Sequence, residues 1–199
     1  GAHAAAVAGL MVAPWFGDHA VLQRERRLPV WGTAEAGETV TVKFNFQTLA
    51  VTAGSDGRWA AWLDPLPASA TPAELVVATK DATFIARDVV VGEVWLLAGQ
   101  SNMEFPVAWL DDGERRLAAT DLPLVRQLRI NRAAAATRVP GATKQGWEAA
   151  SPPAVQTFSA VGYFFARELH EELKVPIGIV NASWGGTAIE AWMDDAARA

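Results

Sequence analysis

The chain contains no cysteine. That absence removes disulfide scaffolds, thiolate zinc sites and cysteine nucleophiles, and it leaves the cellular compartment open. Long apolar runs are lacking as well. The longest, DVVVGEVWLLAGQS, is cut by Gly92 and Glu93 and is too short to cross a bilayer, so no membrane is expected as a partner. There is no block of Lys or Arg, and 17 basic residues against 22 acidic ones give a net charge of -5. Duplex binding needs a clustered cationic face, so nucleic acid is not expected either. What remains is the composition of a folded protein. Hydrophobic residues make up 51% of the 199 and charged residues 20%, too apolar for a disordered chain and enough for one ordinary domain or two small ones. The opening GAHAAAVAGLMV has neither an initiator Met nor a basic n-region. Gly1 to His3 read as a cloning remnant, any signal peptide is expected to be already removed, and a periplasmic or secreted location is the expectation.

Two halves follow different rules, with the change of pattern between Arg87 and Gly92. Residues 1–90 consist of short β-rich segments separated by turn chemistry: LPVWGT, TVTVKFNF, TLAVTA, a GSDGR turn, WAAWL, a Pro-rich stretch, LVVAT and TFIARDVVV. In TVTVKFNF, Val40, Val42, Phe44 and Phe46 alternate with polar residues, the period-two pattern of a strand with one wet face. About seven such strands predict a small β-sandwich. Trp31, Trp59 and Trp62 are expected in its core rather than on a carbohydrate-stacking platform. Residues 91–199 alternate strand and helix. EVWLLAG reads as a strand buried on both faces, DDGERRLAAT as a helix and LVRQLRI as a second strand. A helix from about Thr157 to Lys174 carries apolar residues at Phe158, Val161, Phe165, Leu169 and Leu173, and PIGIVNASWGG is a third strand entering a glycine loop. That alternation predicts an α/β fold with a parallel sheet.

In an open parallel sheet ligands bind beyond the carboxyl ends of the strands, and both unusual loops lie there. AGQSN follows the first strand of the second half, and NASWGGT follows the third. Gly99 permits a sharp turn that lifts Ser101 off the strand end, the place for a serine nucleophile. A serine there is equally a helix cap or turn former. Gly185 and Gly186 free the backbone to turn N–H groups toward a developing oxyanion, or simply form a helix-entry turn. The Gly-x-Ser-x-Gly elbow of α/β-hydrolases is not matched, because Met103 stands at its second glycine.

GQSNM together with NASWGGTAIEAWM resembles the first two motif blocks of the SGNH hydrolases, and more narrowly of the sialate O-acetylesterase-like carbohydrate esterases. FSAVGYFFARELHEELKVPIGIVNASWGGT and the upstream VLQRERRLPVWGTAEAGETV share that likeness, which therefore covers nearly the whole chain. The resemblance implies an N-terminal β-sandwich followed by the first part of a flavodoxin-like parallel sheet with flanking helices. It implies Ser101 as nucleophile, with Ser101 and the Gly185-Gly186 loop supplying oxyanion amides. The reaction implied is removal of acetyl groups from sugar hydroxyls through an acyl-serine intermediate, with acetylated carbohydrate as substrate and neither metal nor cofactor.

The family's Asp-x-x-His block is missing: His19 has Phe16 three residues before it, His170 has Arg167, and His3 lies at the extreme N-terminus. The Asp and His of a triad are therefore expected outside this segment, in a downstream portion of the same polypeptide or in a second chain. His170, beside Glu171 and Glu172, reads as a surface residue. Asp111-Asp112 and Asp194-Asp195 read as helix-start charges, since adjacent helical residues point about 100° apart. Gln100, Asn102, Glu104 and Glu190 adjoin the motif blocks as candidates for pocket lining or loop support. Trp184 and Trp192 are candidates for a sugar-stacking wall or for packing. The competing reading is a non-catalytic carbohydrate-binding fragment using the β-domain and its tryptophans. An esterase for lipid or peptide esters would want a long apolar cleft that no stretch here demonstrates.

Overall fold

The computed structural model describes residues 9–118, 121–132, 146–193 and 197. The readings placed on Gly1 to His3 and on Asp194-Asp195 lie outside the described residues. Alternation builds the first layer. β1 (Met11–Val12), β3 (Leu28–Thr33) and β6 (Arg58–Leu63) form one sheet. Facing it are β2 (Val21–Gln23), β4 (Thr39–Phe44), β5 (Gln47–Thr52), β7 (Ser69–Ala78) and the first part of β8 (Thr83–Leu97). Val30, Val40, Val42, Trp59, Leu63 and Leu75 fill the space between the sheets. Two expectations fail for reasons of parity and turn chemistry. Trp59 is buried, but in RWAAWL the alternation puts Trp62, three residues on, outward at 49% exposure, and Trp31 is likewise on the outer face. Phe46 does not continue β4. Asn45 adopts φ 51°, Phe44 pairs with Gln47, and Phe46 is left 82% exposed in the two-residue hairpin turn.

β8 runs through residue 90 without a break, so one strand serves both layers. Its end pairs in parallel with β11 (Ile177–Asn181), which pairs in parallel with β9 (Leu122–Arg129), and β10 (Glu148–Ala150) lies antiparallel on the far side of β9. Every residue of β11 is buried. Ile177 and Ile179 face α3 (Ala160–Leu173), while Val180 joins the core shared with the β-layer. Short helices α1 (Ser101–Glu104) and α2 (Asp112–Ala118) complete the layer. No helix of the described residues is long and apolar enough to cross a membrane.

α3 starts at Ala160 because Ser159 caps it, the Oγ accepting the Gly162 N–H at 3.1 Å. Its buried face is Ala160, Gly162, Tyr163 and Ala166, whereas Val161, Phe165 and Leu173 of the expected stripe are exposed. The helix lies so close to the sheet that a Cβ on Gly162 would collide with Leu97, so small residues face the strands and the large ones flank them. EVWLLAG is likewise not buried on both faces. Neither β2 nor β7 is in register with β8 beyond Gly92, so among the described residues only β11 flanks its end, and Leu96 is 65% exposed. Trp95, also exposed, meets Phe165 edge to face at 5.1 Å.

A buried guanidinium ties the layers together. Arg126 of β9 donates to the backbone oxygens of His19 (2.9 Å) and Asp88 (2.6 Å), to Asp88 Oδ1 (3.1 Å) and to the Pro123 carbonyl (3.0 Å). Burial pushes the Asp88 carboxyl up, but the hydrogen bond with His19 and the charge of Arg126 outweigh it and hold the group below its ordinary value. Removing the cation takes one of two partners from the Asp88 carboxylate, which keeps His19, and a donor from three carbonyls. In the full-length protein, Arg126→Met is expected to cost about 1–3 kcal/mol in urea unfolding. Because the folded value of Asp88 is depressed, its stabilisation is complete above the ordinary aspartate value and is lost as the pH falls through the lowered one. Asp88→Asn should therefore flatten that part of the acid loss in a series of unfolding midpoints against pH.

Candidate functional site

β8 ends at Leu97, opposite Asn181 at the end of β11, so the two chains leave the sheet at the same level. Two backbone bonds then continue the ladder into the loops, Ala182 N–H to the Leu97 carbonyl (3.0 Å) and Trp184 N–H to the Gly99 carbonyl (2.9 Å). Gly99 makes the turn between them at φ 144°, a conformation that L side chains rarely adopt. α1 begins at the next position but one, and Ser101 is its exposed first residue. The serine hydroxyl donates to Gln100 Oε1 at 3.0 Å.

The second loop closes on that serine. A Cβ at Gly185 would lie 3.6 Å from Ser101 Cα, 3.7 Å from its Cβ and only 2.8 Å from Glu104 Oε2, so a side chain here would push the Glu104 carboxylate aside. Gly185 donates its N–H to Glu104 Oε2 at 2.6 Å, and the other carboxylate oxygen pairs with Arg132. Gly186 follows at φ 81° with open space around it, and no described partner accepts its N–H or that of Ser101. Asn181 stiffens the loop's root. Fully buried, it accepts the Ser183 N–H (3.1 Å) and Oγ–H (2.6 Å) and donates to Gln127 Oε1 (3.4 Å), which also accepts the Ser159 N–H (3.1 Å). Thr187 finishes the turn, donating to the Trp184 carbonyl and accepting from Trp192 Nε1.

A cleft of about 610 Å³ opens beside Ser101, lined by Glu104, Phe105, Trp109, Arg129 and Arg132 among others. Phe105 and Trp109 meet edge to face at 5.5 Å, and Trp109 is 71% exposed. Arg129 and Arg132, with Glu104 and Ser183, also line an adjoining hollow of about 260 Å³. Burial pushes the Glu148 carboxyl up while nearby Arg129 pulls it down, so Arg129 brings positive charge to this end of the sheet. Among the described residues no cluster of His, Asp or Glu has the grouping to hold a metal.

Of the residues expected at the site, the fold brings together Gln100, Ser101, Glu104, Gly185 and Gly186. Asn102 is exposed on α1, Trp184 is half-buried in the loop, and Glu190 is exposed on a 3-10 turn over Ile189–Trp192. Neither described histidine reaches the serine. His19 Nδ1 pairs with Asp88 Oδ2 at 2.6 Å, and Asp88 lies on β8 ten residues before Ala98, on the order of 30 Å away along the strand. His170 is half-buried rather than a free surface group, its Nδ1 bonded to the Val175 carbonyl at 2.7 Å across the end of α3. The sequence reading missed Phe105, Trp109, Arg129 and Arg132. The aromatic pair at i, i+4 just after GQSNM was the available signal for the first two.

The class defined by this arrangement is an α/β scaffold with a strand-end serine set against a glycine loop. A family model described as carbohydrate esterase, sialic acid-specific acetylesterase, matches residues 91–198, and the chain belongs to that family. It is similar to the sialate O-acetylesterases of Rattus norvegicus (30% identical over 202 residues, 92% of this chain and 37% of that protein) and of Homo sapiens (30% over 203 residues, 92% and 39%). The chain thus spans about two fifths of the length of these curated relatives. Its structure is similar to the crystal structure of a carbohydrate acetylesterase from Xanthomonas citri, with a TM-score of 0.88 and 40% identity over 94% of this chain and 42% of that one.

The loop's root is testable apart from any activity. Asn181→Ala strips Ser183 of the acceptor for two hydrogens and is expected to cost about 1–3 kcal/mol in chemical unfolding of the full-length protein. Deuterium exchange at the Ser183 amide should rise with it.

Proposed function

We propose that this chain carries the nucleophile and the backbone oxyanion donors of a carbohydrate O-acetylesterase, and that the remainder of the hydrolase supplies the acid–base pair. The observation that carries the reading is the closeness of the Gly185 loop to Ser101 at the carboxyl ends of β8 and β11, where a Cβ on Gly185 would stand in van der Waals contact with the serine. A His oriented by an Asp, both from that remainder, takes the Ser101 proton as Oγ bonds to the acetyl carbon, and the tetrahedral oxyanion rests on the N–H groups of Ser101 and Gly186. Gly185 N–H, expected among these donors, is held by Glu104 instead. Collapse breaks the bond to the sugar oxygen, which leaves as the alcohol with the proton from His. Water then attacks the acyl carbon as the same His removes its proton, and the acyl carbon–Oγ bond breaks with that proton returned to Ser101 Oγ as acetate departs. The exposed Trp95, Leu96, Val161 and Phe165 beside the end of β8 support a seat for that remainder.

The cleft suits an acetylated sugar: Trp109 and Phe105 offer faces for a pyranose ring, and Arg129 offers a charge for a sugar carboxylate, as sialate carries. Arg129→Gln is expected to raise KM for an O-acetylated sialoside about tenfold while leaving a neutral aryl acetate unchanged. Equal loss on both would remove the carboxylate from the reading.

The exposed Trp31 and Trp62 favour a second reading, glycan binding by the β-layer without catalysis. A serine-directed organophosphonate separates the two, since only an esterase is labelled at Ser101. In the full-length protein, Ser101→Ala is expected to abolish acetate release from an activated aryl acetate with the circular dichroism spectrum unchanged. Turnover near that of the unaltered enzyme would overturn the nucleophile assignment.

A further inference from the structure

We infer that Glu104 is a positioning residue that fixes the oxyanion loop, and that Arg132 is its charge compensator; the functional half of this inference rests on the esterase reading above. Glu104 lies one turn after Ser101 on α1, so nucleophile and carboxylate move as one piece. Its two oxygens have separate partners. Oε2 takes the Gly185 N–H at 2.6 Å, the short distance of a charge-assisted bond, and Oε1 takes the Arg132 guanidinium. The carboxylate therefore joins three segments: α1, the residues after β9 and the loop after β11.

The consequence for chemistry follows from the neighbour of the clamped amide. With Gly185 N–H held, the Trp184–Gly185 peptide plane is fixed, and the Gly186 N–H is the next donor along the chain, separated from that anchored plane only by the φ and ψ of Gly185. A preorganised donor is worth about 10²–10³ in rate, whereas one that must be reoriented during the reaction is worth much less. A carboxylate beside a developing oxyanion would also repel it. Arg132, pairing with that carboxylate, cancels the charge while leaving the hydrogen bond in place.

The tests use the full-length enzyme and a neutral aryl acetate, so that binding of a charged sugar does not enter. Glu104→Ala is expected to lower kcat about 10²-fold with KM little changed, and Glu104→Gln, whose amide oxygen still accepts the Gly185 N–H, to restore most of it. Arg132→Gln should lower kcat by exposing the bare carboxylate, and combining it with Glu104→Gln should recover that loss. Deuterium uptake over residues 182–188 provides a readout independent of catalysis: one further amide should exchange rapidly in Glu104→Ala and stay protected in Glu104→Gln. Unchanged uptake in the Ala variant overturns the clamp. A kcat equal in the Ala and Gln variants, or unaffected in the Ala variant, overturns the positioning role. Expected uptake in a protein that releases no acetate would leave the clamp standing and remove the esterase reading instead.

Discussion

The parallel register between β8 and β11 is the constraint from which the site follows. Leu97 opposite Asn181 brings both strands to their carboxyl ends together, and the two loop hydrogen bonds beyond continue that pairing as far as Gly99 and Trp184. A slip of two residues would keep every side chain on its own face, and so preserve most of the burial, yet displace one loop by about 6–7 Å. Ser101 would then face no glycine backbone. Alternation of apolar residues cannot forbid such a slip. Contacts outside the alternation do: only Gly92 of β8 admits the Pro176 carbonyl, which a Cβ would strike, and on the other side of β11 Gln127 of β9 binds both Asn181 and the Ser159 amide at the head of α3.

β9 supports the site from both of its faces. Gln127 points into the α3 side, and its neighbour Arg126 points the other way, into the join with the β-layer. Both are almost completely buried, and each makes several hydrogen bonds. Such groups add little net stability over well-packed apolar residues, because removing them from water offsets much of what their bonds contribute. Their effect is directional. A Leu at either position would fill space without choosing among neighbouring registers, whereas an unpaired amide or guanidinium makes every wrong register costly.

Much of the architecture was legible because its signals are local. Alternation located the strands of the β-layer, and the change from a continuous apolar run to Gly99-Gln100-Ser101 marked a strand end from adjacent residues alone. Faces were harder to read. Trp31 and Trp62 are strand residues as expected, but whether an indole points inward depends on parity against the facing sheet. The stripe expected around α3 holds in part: Phe158 is buried and Leu169 packs on the core, but Gly162 and Ala166 are buried by close approach while Val161 and Phe165, more hydrophobic, are not. Arg126, Gln127 and Arg132 give no signal, and Glu104 gives one only as a neighbour of GQSNM, because their partners are brought to them only by folding. Gly185 is 81 residues from Glu104 in the chain. Local patterns thus indicated where chemistry sits, and long-range polar pairing determines how tightly it is held.

The same division separates orientation from activation at the serine. Backbone donors require only that strands end level and that glycine occupy the turns, conditions met within this chain by β8, β11 and their loops. Activation requires a group that titrates near the working pH and lies within hydrogen-bond reach of Oγ. Gln100, the present partner of that hydroxyl, accepts a hydrogen bond but cannot carry a proton away. The two described histidines are committed elsewhere, His19 to Asp88 and His170 to the end of α3. A base delivered by a separate element leaves the oriented serine weakly nucleophilic until that element is seated. In the esterase reading, correct assembly of the hydrolase is then itself a condition for turnover, and the exposed apolar residues flanking the end of β8 lie where that assembly is read.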